Sequence, residues 1–178
     1  FVLDLSDGSL ILAEKKYEVN GEKCFYFSEL FLECRAPLSQ KSKLDIVTRA
    51  VDQVAKKYYG DEDAQKKMEI KDIICNELEE QGEIKVSELR EKVFPGSPEM
   101  LEELDEKLDR YNLSYETVAP KNEQTIKKFQ KQKLYTDTGI EITIPMEEYR
   151  NPDHVEFITN MDGTISVLIK NIGMLSSK

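Results

Sequence analysis

The chain has 178 residues, with 35 Asp and Glu against 25 Lys and Arg and a net charge of −10. That length suits one well-packed domain, or two small ones sharing a core. So acidic a chain repels phosphate as a whole, which confines any nucleic-acid contact to a local patch. No apolar run approaches the roughly 20 residues of a membrane span, and neither a membrane helix nor a signal peptide is expected. Cys24, Cys34 and Cys75 lack close Cys-x-x-Cys spacing. They point away from a disulfide framework or a thiolate metal site and toward a reducing cytoplasm. Because it opens on Phe1 and not on Met, the chain reads as a piece of a longer protein, entered inside a strand.

Residues 1–38 read as a β-hairpin region. Asp7-Gly8 marks a tight turn, and Asn20-Gly21 is the strongest short hairpin signal available. With Asn20-Gly21 as the loop, Val19 faces Glu22 and Glu18 faces Lys23, the second pair being opposite in sign. Phe25, Phe27, Leu30 and Leu32 are then expected to be buried.

Residues 39–111 read as a helical bundle. Pro37 and Ser39 mark the break, and Ser39 or Ser42 is placed to cap the next helix. Leu44, Val47, Val51, Val54 and Tyr58 follow as the single apolar stripe of an amphipathic helix, which Gly60 stops. A second helix is expected from about Asp63 to Gln81, buried through Met68, Ile70, Ile74, Cys75 and Leu78 and ended by Gly82. Joined by so short a loop, the two should pack antiparallel. A short helix begins at Ser87, runs through Leu89 and Val93, and breaks at Pro95-Gly96. Ser97-Pro98 supplies a cap and first turn for a last helix through Met100, Leu101, Leu104 and Leu108.

Helix, turn, short helix, turn, helix is also the outline of a helix-turn-helix DNA reader. In such a reader the last helix enters the major groove and needs Arg, Lys, Asn or Gln facing outward. Residues 61–110 instead hold 17 Asp and Glu against 8 Lys and Arg, nearly the whole net charge. On the last helix Glu99, Glu102, Glu103, Asp105, Glu106 and Asp109 outnumber Lys107 and Arg110. Those carboxylates beside phosphates would lose more than one or two bidentate contacts return. The outline is read as structural.

Residues 112–178 read as a β-rich region. Asn122 or Thr125 starts a short helix containing Ile126, Lys127, Lys128 and Phe129. From Thr125 to Tyr135, Lys127, Lys128, Lys131 and Lys133 stand without an acid, interleaved with Phe129 and Tyr135. One reading makes them a solvated face over a core anchored by Ile126 and Phe129. The other makes them a phosphate contact, each lysine adding a salt-dependent increment. Residues 139–144 alternate as a strand that Pro145 ends, and Met146 to Tyr149 is a turn. A hairpin about Asp162-Gly163 pairs Val155–Thr159 with Thr164–Ile169. Ile165, Val167 and Ile169 share one face of it, which is expected to be buried. The end from Met174 is expected to fray. The fold class is therefore α+β, with antiparallel β-hairpins at both ends and a central helical bundle. Its strand edges leave it open to forming a homo-oligomer.

Catalytic chemistry finds no footing. His154 is the single histidine, and neither a Gly-x-Ser-x-Gly elbow nor a Gly-rich phosphate loop occurs. Pro152-Asp153 lacks the downstream acid-x-Lys of one nuclease class, since Glu69-Ile70-Lys71 and Glu83-Ile84-Lys85 both precede it. Asp61-Glu62-Asp63 lacks the glycine and distal glutamate of a calcium loop. No enzyme, cofactor or metal is expected.

Several stretches nonetheless occur in a set order. They are Lys128-Phe129, the strand at 139–144, Glu148-Tyr149-Arg150, Asn151-Pro152-Asp153, Asp162-Gly163-Thr164-Ile165 and Ile169-Lys170-Asn171. That order resembles the carboxy-terminal part of the bacterial nucleoid-associated protein family (NdpA-like). The helices from Ser42, Asp63 and Ser87 also sit where that family has them. The resemblance covers most of the chain. It implies a cytoplasmic, non-enzymatic protein found with the nucleoid and associated with DNA, with no membrane partner. Contact with DNA would be direct, through Lys127, Lys128, Lys131 and Lys133 or through an amino-terminal half that this piece lacks. Alternatively the acidic helices dock a basic protein partner, and the route to DNA is indirect.

Overall fold

The computed structural model describes residues 2–3, 5–6, 10–12, 14–19, 21–33, 38–60 and 63–176. The chain divides into two compact units, Phe1–Ser39 and Gln40–Lys178. Asp7, Gly8, Asn20, Cys34, Pro37, Asp61 and Glu62, on which several expectations rest, lie outside the described residues.

In the amino-terminal unit, β1 (Val2–Leu3) pairs antiparallel with β2 (Leu10–Ile11), and β3 (Lys16–Val19) with β4 (Glu22–Phe25). The register of the second pair sets Val19 against Glu22 and Glu18 against Lys23, as the Asn-Gly position dictates. Gly21 takes the positive φ of 84° that such a turn needs. Past Phe25 the period-two pattern stops, because Tyr26–Phe31 winds into one wide helical turn. This overturns the expected burial of Leu30 and Leu32, which are 45% and 41% exposed. The turn carries Ser28 inward instead, and the Glu14 carboxylate accepts from the Phe27 and Ser28 N–H groups at 3.2 and 3.3 Å. Phe25 and Phe27 are half-buried, Phe27 stacking on Phe31 at 5.5 Å.

The carboxy-terminal unit is built on α1 (Gln40–Tyr59) and α2 (Ala64–Glu80). On α1 the expected stripe of Leu44, Val47, Val51 and Val54 is buried. Tyr58 is exposed, and Ala50 and Ala55 widen the stripe in its place. Asp63 caps α2 by accepting from the Lys66 N–H at 2.9 Å, satisfying one of the four donors a helix start leaves free. The expected face of α2 is buried, and Gly60 and Gly82 hold the left-handed conformations that end the two helices. α3 (Val86–Val93) and α4 (Pro98–Asp109) follow. The closest partner of α1 is α4, with α2 a lesser one. Ser97 stands at the start of α4, but its carbonyl, and not its side chain, takes the first helical N–H groups.

A tie without a sequence signal closes the bundle. β5 (Ile84–Lys85) pairs antiparallel with β6 (Thr117–Val118), bracketing α3 and α4. Ile84, Phe94, Leu104, Leu108 and Val118 join the α1 stripe in one core. Each such fully buried side chain stabilises the fold by about 1.5–3 kcal/mol relative to exposure.

Beyond the bundle, α5 (Glu123–Lys127) is capped by Asn122, whose side chain accepts from the Gln124 N–H at 2.8 Å. β7 (Lys131–Tyr135) and β8 (Glu141–Pro145) form a hairpin, and α6 (Met146–Tyr149) leads to β9 (Val155–Thr159) and β10 (Ile165–Ile169). Strand β7 was not expected. It alternates around the inward-facing Gln132, whose polarity hides the period from a hydropathy reading. A second correction concerns β10. Ile165 and Ile169 are 47% and 57% exposed and Val167 is half-buried, so the face they share is not buried. Part of it borders an open cleft, and among the described residues β9 and β10 form a two-stranded sheet of their own. The architecture is α+β, with antiparallel hairpins toward both ends and helices between them.

Candidate nucleic-acid interface

The four lysines singled out in the sequence are all exposed. They do not share one helix face. Lys127 closes α5 and lies 3.4 Å from Glu123, Lys128 caps that helix, and Lys131 and Lys133 sit two residues apart on β7. In a pleated strand that spacing sends both to one side, roughly 7 Å apart. Among the described residues, Lys128, Lys131 and Lys133 have no carboxylate within ion-pair distance. In a chain with ten more acids than bases, three neighbouring cations left unneutralised are a local reversal of sign.

β7 is lashed to α2 by polar contacts from both sides. Gln132 donates its side-chain amide to the Met68 carbonyl at 2.9 Å, and the Lys71 ammonium donates to the Lys131 carbonyl at 2.6 Å. Arg150, at the end of α6, bridges Asp72 at 2.6 Å and Glu79 at 2.9 Å. These bonds hold the Arg150 guanidinium more firmly protonated than usual despite its desolvation. The same contact holds the Glu79 carboxyl below the ordinary range. Lys131 and Lys133 therefore ride on a strand positioned by a helix.

Next to the patch opens a cleft of about 1260 Å³ between α1, α2 and the two hairpins. Its charged lining is Lys56, Lys67, Lys71 and Lys133 against Asp52 and Asp137, an excess of cations. Burial, and then the nearby Lys133 charge, push the Lys71 ammonium below its ordinary pKa, with Cys75 and Asp52 opposing. Asp52 reaches solvent, yet the crowding walls desolvate it enough to raise its carboxyl, against the pull of Lys67 and Lys71. Sequence reasoning missed the α1 and α2 lysines because they are far in sequence from β7. Their one signal was the helical spacing of Lys67 and Lys71.

The remaining candidates lie apart from this patch. On α4 the exposed side presents Glu99, Glu102, Glu106 and Asp109, while Glu103 pairs with Lys57 of α1 and Asp105 with Arg90 of α3. His154 is half-exposed, with Nδ1 against the Glu148 carboxylate. Asn151-Pro152-Asp153 and Lys170-Asn171 prove to be staples of one another. Lys170 donates to the Pro152 carbonyl at 3.2 Å, and Asn171 to that of Asp153 at 3.0 Å. Among the described residues no group of three or more His, Cys, Asp or Glu is placed to hold a metal, and no helix is long and apolar enough to cross a membrane.

The family described as nucleoid-associated protein YejK matches residues 6–174. The chain belongs to this family. No curated protein and no solved structure matches it. Membership carries a nucleoid-associated role in bacteria, in a family whose members are generally non-enzymatic. The stretches that resembled the family in sequence, Glu148 to Asp153 and Ile169 to Asn171, are here the clamps and staples that fix the carboxy-terminal hairpins.

Proposed function

We propose that this chain is a non-enzymatic binding module that touches the phosphate backbone of DNA through Lys127, Lys128, Lys131 and Lys133. The observation that supports this most is that, of these four exposed lysines, Lys128, Lys131 and Lys133 have no acid partner among the described residues, on a chain of net charge −10. Such a contact is local, salt-dependent and indifferent to base sequence. Replacing all four with Glu should abolish the gel shift of a duplex fragment. An unchanged shift would remove the patch from the reading.

A second reading is favoured by the exposed acids of α4. In it Glu99, Glu102, Glu106 and Asp109 form a docking face for a basic protein, and association with the nucleoid is indirect. Pull-down from lysate, with and without nuclease, separates the two. Capture that survives nuclease and is lost in Glu102→Lys with Glu106→Lys supports the protein partner, and capture that nuclease abolishes supports DNA.

A further inference from the structure

The cleft beside the lysine patch has a chemistry that phosphate contact alone does not use. At about 1260 Å³ it exceeds the roughly 300–1,000 Å³ of ordinary small-molecule pockets. Between its cations the walls are apolar and aromatic, with Phe129, Tyr135 and Phe157 all reaching the lining. Tyr135 stands at the end of β7 and is 68% exposed, so its ring is open to a stacking partner from solvent. The Phe157 ring is braced by Tyr149, their centroids 5.8 Å apart and the planes tilted. Lys71 and Lys133 stand close enough for the charge of one to disfavour the other, so an anion between them would relieve the repulsion.

We propose that the cleft receives the bases of an unpaired nucleic-acid strand, stacked on Tyr135 and Phe157, while Lys71 and Lys133 meet its phosphates. Duplex DNA offers an outer surface of phosphate and keeps its base faces stacked inside. An unpaired strand, unlike a duplex, presents flat rings and phosphates together, and aromatic platforms set among cations are how single strands are held without sequence readout. The exposed face of β10, with Ile165 and Val167 in the lining, then gains a function as the apolar wall opposite the helices. This inference rests on the reading of the lysine patch, with which it shares Lys133, and adds the kind of strand that is bound.

The test is fluorescence anisotropy with short labelled oligothymidylate and oligouridylate, and with a duplex of equal length, at one salt concentration. Tyr135→Ala should weaken binding of the single strands about ten-fold, and Tyr135→Phe should restore it, since the ring and not the hydroxyl does the stacking. Duplex binding should be the same in all three proteins. Equal single-strand affinity in the parent and Tyr135→Ala would overturn the proposal, and so would displacement of the oligonucleotide by thymidine monophosphate at equal concentration. If the parent binds duplex and no single strand, this inference alone falls. If it binds neither, the phosphate reading falls with it.

Discussion

Neutralising the four lysines should change the salt dependence of DNA binding more tellingly than its affinity at any one salt concentration. Each lysine that meets a phosphate releases condensed counterion, so four contacts give a slope of log K against log salt of about −3.6. Lys127 already lies 3.4 Å from Glu123 and brings less, since its charge is partly met within the fold. A contribution of about −3 is the better figure, which corresponds to ~60-fold weaker binding between 50 and 200 mM salt. The protein with Lys127→Gln, Lys128→Gln, Lys131→Gln and Lys133→Gln should lose that increment. It should remain folded, because all four side chains are exposed and only the backbone of Lys131 is bonded to α2. The assay is a filter-binding or anisotropy titration on one duplex at several salt concentrations, with a thermal melt as the control. A variant whose slope matches that of the parent would refute the reasoning, whatever its affinity.

Arg150→Ala removes the bridge from α6 to Asp72 and Glu79, each partner being about a quarter to a third exposed. Solvent screening limits the loss to about 1 kcal/mol, or roughly 2–4 °C in Tm for a chain of this size. The Glu79 carboxyl is held low by Arg150, so its share of the stability is present above the ordinary glutamate pKa and fades as pH falls through the folded value. The gap in Tm between parent and variant should therefore narrow in acid, and a gap that widened there would contradict the assignment. Burial pushes the Cys75 thiol up to about 11. At pH 8 only about one molecule in a thousand carries the reactive thiolate, so native Cys75 should resist alkylation that denaturant then permits. Peptide mapping by mass spectrometry reads this directly, and rapid native labelling of Cys75 would show the α2 face to be open.

Periodicity carried the helical part of the chain and faltered in its β-strands. The α1 and α2 stripes were legible because a helix buries the same residue types at each turn against a continuous core. Strand β7 was hidden by its inward Gln132, whose amide is satisfied by the Met68 carbonyl, a partner distant in sequence. Ile165 and Ile169 misled for the opposite reason. Their pattern is that of a buried face, but burial requires an opposing layer, and pattern does not reveal whether one is present. Lys127, Lys128, Lys131 and Lys133 were visible as a charge reversal along the chain, whereas Lys56, Lys67 and Lys71 joined them only through folding.

Sequence alone determined where the acids concentrate, which residues face inward on the long helices and where glycines stop them. These follow from local sterics and from the helical repeat, which neighbours in the chain settle among themselves. Tertiary structure decided the β5–β6 tie, the lashing of β7 to α2 and the cationic cleft between them. Each depends on polar or charged groups meeting across long stretches of chain, and such meetings leave no local pattern because either partner alone looks like an ordinary surface residue.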